Sequence, residues 1–335
     1  MQKKMVKAVK IAATAHYVPQ RIVTNDELSK IMETSDTWIQ QHTGIKTRHY
    51  ALDENTSDLC AKTAVKLLKE AQLPATAIDL IIVATITPDA LTPATAILVQ
   101  QKIGADAAVA FDVNAACAGF VFALNTAEKF MRQGIYKNAL VIAGEVNSKM
   151  MDFQDRTSTV FFGDGAGGVL LSAVDDPAQE AFVAQELATK PAPEVIHSGR
   201  IPHVTQVSAQ NYPSLDAFYQ DGHAVFDFVI TEVPRYIQHF LHINNVSLEE
   251  LGLVVTHQAN LRLIEGIAHK LALPLHLFAQ NVVYYGNTSS AGIPIGLDLA
   301  LKDGRGHKGL SLLSGFGAGL SYGSILLDLS HVGNH

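Results

Sequence analysis

The sequence predicts an α/β protein made of two similar halves, and three features carry that expectation. Short, continuous apolar runs such as Asp79–Ile86 (DLIIVATI) alternate with longer amphipathic stretches. This is the pattern of parallel strands buried on both faces and joined by helices. A strand, a glycine cluster and another strand occur twice in that order: Leu140–Ala143, Gly163–Gly168 and Val169–Leu171, then Leu310–Ser314, Gly315–Gly319 and Tyr322–Leu329. With 335 residues, 48% hydrophobic and 17% charged, the chain has the material for a large core and lacks the composition of a disordered protein.

The elements follow in order. A helix is predicted over Ser57–Gln72, with Asp58 near its start and Leu73-Pro74 beyond its end. Cys60 lies within it beside Leu59, Ala64 and Leu67 and reads as a packed core thiol. The strand Asp79–Ile86 comes next, then a strand at Val109–Val113 and a helix over Ala118–Arg132 stopped by Gly134. That helix is apolar all round, through Phe120, Val121, Phe122, Ala123, Leu124 and Ala127, which predicts a central, buried position. Ala139–Ala143 and Gly168–Leu171 are further buried strands. From about Val174 to Ala217 the pattern lapses, and this region is predicted to be an irregular connection between the halves. Alternation resumes with a helix over Ala224–Leu241 despite Pro234, a strand at Gly252–Thr256, and helices over Leu261–Leu271 and Ile295–Leu301. The pairing of Asp79–Ile86 with Glu250–Thr256 also suggests duplication. The expected division is 1–175 and 176–335, with an active site where the halves meet.

Composition excludes several classes. A net charge of −7 argues against a general nucleic-acid binder, although one local basic patch remains compatible with it. No apolar stretch approaches the ~20 residues of a membrane span. The basic start Met1–Lys10 mimics a signal peptide, but Lys7 and Lys10 interrupt what should be its apolar core. Two cysteines in no metal-like or redox-like spacing make neither a disulfide framework nor a metal site. A cytoplasmic protein is expected. Both glycine clusters run into strand-like segments rather than helices, so they predict close backbone approach and not a dinucleotide site.

Three segments carry chemistry. Cys117, in AFDVNAACAGF, falls between a strand and a helix, where unpaired N–H groups and the helix dipole favour a thiolate. Free cysteines are also among the most buried and inert side chains. His257, in VVTHQAN, stands at the carboxyl end of a buried strand, where ligands bind in parallel sheets. Asn287, in YYGNTSSAGIP, lies in a polar loop before a helix. Taken singly, His257 and Asn287 read equally well as satisfied polar groups at element ends.

Together, DVNAACAGF, THQANLR, YYGNTSSAG and GFGAGLSYGS, with ETSDTWIQQHTGI near the N-terminus, resemble the thiolase-fold condensing enzymes, specifically β-ketoacyl-acyl-carrier-protein synthase III. The resemblance runs from about Ala8 to Asp328. It implies a thiolase-like fold, two duplicated α/β halves in a layered αβαβα sandwich, and a homodimer. It implies decarboxylative Claisen condensation of an acyl-CoA primer with malonyl-acyl-carrier protein, which starts fatty acid synthesis without metal or redox cofactor. Cys117 would be the nucleophile, with the backbone N–H groups of Cys117 and Ala318 holding the oxyanion. His257 Nε2 and the Asn287 amide would stabilise the enolate.

The same resemblance assigns Trp38 and Arg156 to the CoA adenine, His42 to the CoA phosphates, and Arg262 and Lys270 to the acidic carrier protein. The sequence departs from the family in three places. His42 replaces a common Arg, which predicts weaker or pH-dependent phosphate recognition. Ala318 replaces a usual Gly, which preserves the donor only if that position avoids positive φ. Thr92 replaces a common Phe at the floor of the partner subunit's acyl channel, which predicts a deeper pocket accepting medium-length or branched primers.

Rival readings were an acyltransferase or starter-condensing enzyme of secondary metabolism, a type III polyketide synthase and a papain-like protease. The polyketide synthase is typically longer, and the protease's CGSCW-type segment is missing here. A non-catalytic acyl-binding subunit is disfavoured because Cys117, His257 and Asn287 are all present.

Overall fold

The computed structural model describes residues 6–199 and 219–332, so the start up to Met5 and positions 200–217 of the connecting region lie outside the described residues. In the strand Leu80–Ala84 every side chain is buried, and the side chains divide by parity. Leu80, Ile82 and Ala84 join one hydrophobic cluster, whereas Ile81 and Val83 join another. Burial on both faces is why the sequence shows an unbroken apolar run.

The first half runs β1 (Ala8–Tyr17), α1 (Thr56–Glu70), β2 (Leu80–Ala84), α2 (Thr95–Ile103), β3 (Val109–Val113), α3 (Gly119–Arg132), β4 (Asn138–Glu145) and β5 (Gly165–Val174). The second runs β6 (Phe182–Ala192), α4 (Gly222–Ile243), β7 (Leu251–Thr256), α5 (Leu261–Leu271), α6 (Gly292–Lys302), β8 (Leu310–Gly317) and β9 (Gly319–Leu327). The five-stranded sheet has the order β1-β5-β4-β2-β3 and the four-stranded sheet β6-β9-β8-β7, with two further two-stranded sheets among the described residues. In the first sheet β2 is parallel to β3 and β4, while β5 is antiparallel to β4 and β1. The second sheet repeats this, with β7 parallel to β8 and β9 antiparallel to β8 and β6. Where β3 would recur, Phe278 makes a single parallel bridge to Val254 of β7. Element for element, the halves have one topology.

Helices α3 and α6 touch both sheets and form the central layer. Phe120, Val121, Ala123, Leu124 and Ala127 of α3 have no exposed surface, as the all-round apolarity of that helix predicts. α1 and α2 cover the outer face of the first sheet, and α4 and α5 share a cluster with the outer face of the second. Capping sets the helix starts. Asn55 and Asp58 form a capping box on α1, and the Asn260 side chain of THQANLR accepts the Leu263 N–H on α5.

The stretch predicted to be irregular contains β6, an 11-residue strand. β6 is the sheet edge, so only Phe182 is buried, and Gln185, Glu186, Thr189 and Lys190 dilute the alternation. The glycine cluster at 163–168 serves close approach. A Cβ on Gly163 would strike the Tyr285 carbonyl, and one on Gly167 would lie 2.7 Å from the Ile295 nitrogen.

Candidate active site

Cys117 stands where β3 hands over to α3, on an elbow with a definite construction. Asn114 Oδ1 accepts the Ala116 N–H at 3.1 Å, an Asx turn. Ala116 has φ +48°, residues Ala116–Ala118 make one 3₁₀ turn, and Gly119 opens α3. The second half has the same elbow before α6. Asn287 Oδ1 accepts the Ser289 N–H at 2.8 Å, Ser289 has φ +51°, Ser289–Ala291 form the 3₁₀ turn, and Gly292 opens the helix. Both elbows spend backbone strain, and they meet. A Cβ on Gly119 would lie 3.4 Å from the Ser290 Cβ.

This meeting draws the three candidate side chains together through Ser289. Its hydroxyl donates to Cys117 Sγ at 3.3 Å, its N–H donates to Asn287 Oδ1 at 2.8 Å, and its backbone favours the charged form of the His257 imidazole. His257 follows β7, donates its own N–H to the Ser314 carbonyl at 2.8 Å and takes the Phe316 ring edge-on at 5.1 Å. The end of β8 then crosses the nucleophile, where a Cβ on Gly317 would lie 2.6 Å from the Cys117 nitrogen and 3.1 Å from its Cβ. Only glycine fits. Gly317→Ala is therefore expected to destabilise the fold by about 1–3 kcal/mol through overpacking and to displace Cys117. Thermal unfolding and thiol labelling check this. Positive φ at this loop falls on Gly319 (+113°) and not on Ala318, so the alanine costs no backbone strain.

Electrostatically, burial dominates. It pushes the Cys117 thiol up to about 11, against the opposing Ser289 hydroxyl and the residue's own N–H. Burial thus opposes the thiolate that the helix terminus favours. Burial also pushes His257 down to about 3, with the Ser289 backbone opposing. At neutral pH the thiol and the imidazole are both uncharged. The half-buried Cys117 opens onto a cavity of about 920 Å³, lined also by Ile86, Leu91, Asn114, Met150 and Ala318.

Known proteins share this sequence pattern and this fold. Profiles described as 3-oxoacyl-[acyl-carrier-protein (ACP)] synthase III and its C-terminal part match residues 111–191 and 241–329. Beta-ketoacyl-[acyl-carrier-protein] synthase III 1 of Lactiplantibacillus plantarum is 56% identical over 95% of this chain and 98% of its own. The chain belongs to the 3-oxoacyl-[acyl-carrier-protein] synthase III family. The synthase III of Lactococcus lactis is 44% identical over 96% of this chain and 99% of its own. The crystal structure of the Aquifex aeolicus synthase III aligns with a TM-score of 0.86 at 37% identity, covering 95% of this chain and 99% of that one. The fold is thiolase-like, and the protein is a condensing acyltransferase.

Glu145, at the end of β4, is buried and accepts hydrogen bonds from Thr85 Oγ1, the Ile86 and Thr87 N–H groups, Thr87 Oγ1 and Ser290 Oγ at 2.6–3.1 Å. It ties the Ile86–Thr87 cavity wall to the second elbow. Neither Glu145 nor Ser289 is assigned a role by sequence reasoning. An acid ending the apolar run NALVIAGE was a usable signal, as was the repeat of Asn114-Ala-Ala-Cys-Ala-Gly119 in Asn287-Thr-Ser-Ser-Ala-Gly292.

Trp38, His42 and Arg156 stand together, apart from the residues lining the Cys117 cavity. His42 stacks on the half-buried indole at 4.2 Å, and the Arg156 guanidinium lies 5.5 Å from the ring centroid. Arg156 donates to the Glu33 carbonyl. Arg262 donates to the Gln40 and Gln41 carbonyls and pairs with Glu265 at 2.9 Å, so its charge is partly committed. Lys270 is exposed at the end of α5. Thr92 is exposed and outside the lining of its own chain's cavity. Among the described residues no group of three His, Cys, Asp or Glu could hold a metal ion, and no helix is long and apolar enough to cross a membrane.

Proposed function

We infer that Cys117, His257 and Asn287 condense an acyl-CoA primer with malonyl-acyl-carrier protein, yielding a 3-oxoacyl-acyl-carrier protein, CoA and carbon dioxide, and so start fatty acid synthesis. One observation carries this reading: a single buried residue, Ser289, hydrogen-bonds both Cys117 and Asn287, and its backbone acts on His257, beside a cavity into which the sulfur opens. In the first half-reaction Cys117 sulfur attacks the thioester carbon and CoA sulfur departs. The thiol proton passes by way of the neutral His257 to the departing CoA, leaving an acyl-cysteine. The N–H groups of Cys117 and Ala318 hold the transient oxyanion.

In the second half-reaction the malonyl carbon–carboxylate bond breaks and carbon dioxide leaves. Hydrogen bonds from His257 and the Asn287 amide hold the enolate oxygen. The enolate carbon bonds to the acyl carbon, the carbon–sulfur bond breaks with Cys117 leaving as the thiolate, and a proton from water restores the thiol. No step draws on a metal or redox cofactor. Trp38 and Arg156 are assigned to the adenine of CoA, His42 to its phosphates, and Arg262 with Lys270 to the acidic carrier protein. The expected setting is the cytoplasm, and the expected boundary between halves lies near residue 175.

The test is direct. Incubation with acyl-CoA should add the acyl mass to the protein, and malonyl-acyl-carrier protein should then release carbon dioxide. Acylation without carbon dioxide would favour the acyltransferase alternative. A starter-condensing role has support of its own in the priming β-ketosynthase of the R1128 polyketide pathway, 29% identical with a TM-score of 0.88 over 98% of both chains. Its signature would be a carrier protein from outside fatty acid synthesis preferred as acceptor.

The working unit is proposed to be a homodimer. β3 is a sheet edge, and Val109 on it and Leu91 nearby in sequence are 48% and 74% exposed. An open apolar edge invites a second strand, and Thr92 would then enter the mate's channel. Val109→Asp puts a charge on this apolar edge of each protomer, which pairing would bury, and is expected to weaken the dimer by at least about tenfold. Sedimentation measures the shift, and an unchanged dimer would remove this edge as the interface.

A further inference from the structure

We propose that the Ser289 hydroxyl is a positioning group for the Cys117 sulfur, fixing its place between turnovers and easing loss of its proton. The proposal rests on the reading of Cys117 as the nucleophile. Ser289 has no exposed surface, and a buried hydroxyl must find a partner. It spends its proton on the sulfur at 3.3 Å.

The duplicated elbow shows that the turn itself does not need this group. At the equivalent place, Ala116 adopts φ +48° with the same Asx bond from its preceding asparagine. Serine at φ +51° therefore repeats a backbone that alanine already satisfies, and its oxygen is the addition. The neighbouring hydroxyl cannot replace it, because Ser290 Oγ is bonded to Glu145 Oε1 at 2.6 Å and to the Ala84 carbonyl at 3.3 Å. An O–H donor to sulfur stabilises the anion more than the neutral thiol. In a site where burial opposes ionisation, that donor acts at the acylation step. Asn287 is held by the Ser289 backbone rather than by its side chain, so the hydroxyl bears less on decarboxylation.

The test compares Ser289→Ala and Ser289→Gly with the native protein. Ala116 shows that alanine tolerates this backbone, and glycine relieves its strain without supplying a hydroxyl. Iodoacetamide labelling of Cys117 is followed by intact mass against pH, with Cys117→Ala as the blank because Cys60 is fully buried. Both variants are expected to label about threefold to tenfold more slowly at about pH 8, equivalent to a thiol harder to ionise by half to one pH unit. Acylation by acyl-CoA should fall in step, and malonyl-acyl-carrier protein decarboxylation should fall several times less. An unchanged pH profile in both variants overturns the proposal. So does a change in only one of them, which would trace the effect to backbone strain or slack. Retained acylation in Cys117→Ala would instead overturn the underlying site reading.

Discussion

Cys117→Ala is expected to accept no acyl group from acyl-CoA and to lose condensation by at least about 10³-fold, the scale seen when a covalent nucleophile is removed. Intact mass after incubation with acyl-CoA reads the first effect, and product formation reads the second. The fold should survive, since the exchange removes one half-buried sulfur and leaves the elbow backbone to Asn114 and Gly119. In the native protein the pH dependence carries the mechanism. With the thiol raised to about 11 by burial, the ionised fraction lies on the rising limb at neutral pH. Labelling of Cys117 by iodoacetamide should therefore increase about tenfold for each pH unit from about 7 to 9. A thiolate stabilised by the helix terminus would already be fully ionised there, and its labelling rate would be flat. His257, lowered to about 3, stays neutral over this range and adds no bend of its own.

The strands of this protein were legible wherever the sheet buries both faces, because parity then disappears and an apolar run such as Leu80–Ala84 remains. β6 was not legible for the opposite reason. As an edge strand it mixes Gln185, Glu186 and Lys190 with apolar residues, and only its pairing with β9 makes it a strand. Of the candidate site, Cys117, His257 and Asn287 were singled out by the joint resemblance of their segments to one family, since His257 and Asn287 taken singly read equally well as satisfied polar groups at element ends. The rise of the thiol's pKa was not legible, since its burial is set partly by β8 packing against Cys117 from 200 residues downstream. Ser289 and Glu145 escaped notice because their partners belong to other segments of the chain. The clue to Ser289 was the internal match of NAACAG with NTSSAG, visible only when the two halves are read against each other, and the clue to Glu145 was an acid ending the apolar run NALVIAGE.

That internal match also sharpens what Asn287 is expected to do. Asn287→Ala should lower malonyl-acyl-carrier protein decarboxylation by about 10²–10³-fold, the loss that follows removal of one donor to a developing oxyanion. Formation of the acyl-cysteine should stay within a few-fold of native. The variant also loses the acceptor for the Ser289 N–H at 2.8 Å, and one lost buried hydrogen bond costs about 1–3 kcal/mol of stability. The elbows separate the two effects. Asn114→Ala removes the equivalent bond to the Ala116 N–H from a more exposed position, where water can take its place. If Asn287 only braced its turn, both variants would lose activity through a misplaced elbow, and acylation and decarboxylation would fall together in each. A donor to the enolate predicts a split confined to Asn287→Ala, with carbon dioxide release collapsing while acylation persists. His257→Ala should slow both half-reactions under the proposed mechanism, in which the imidazole moves the thiol proton in the first and holds the enolate in the second. Separate rates for acylation and decarboxylation in these three variants decide whether the two halves contribute different chemistry through one shared turn.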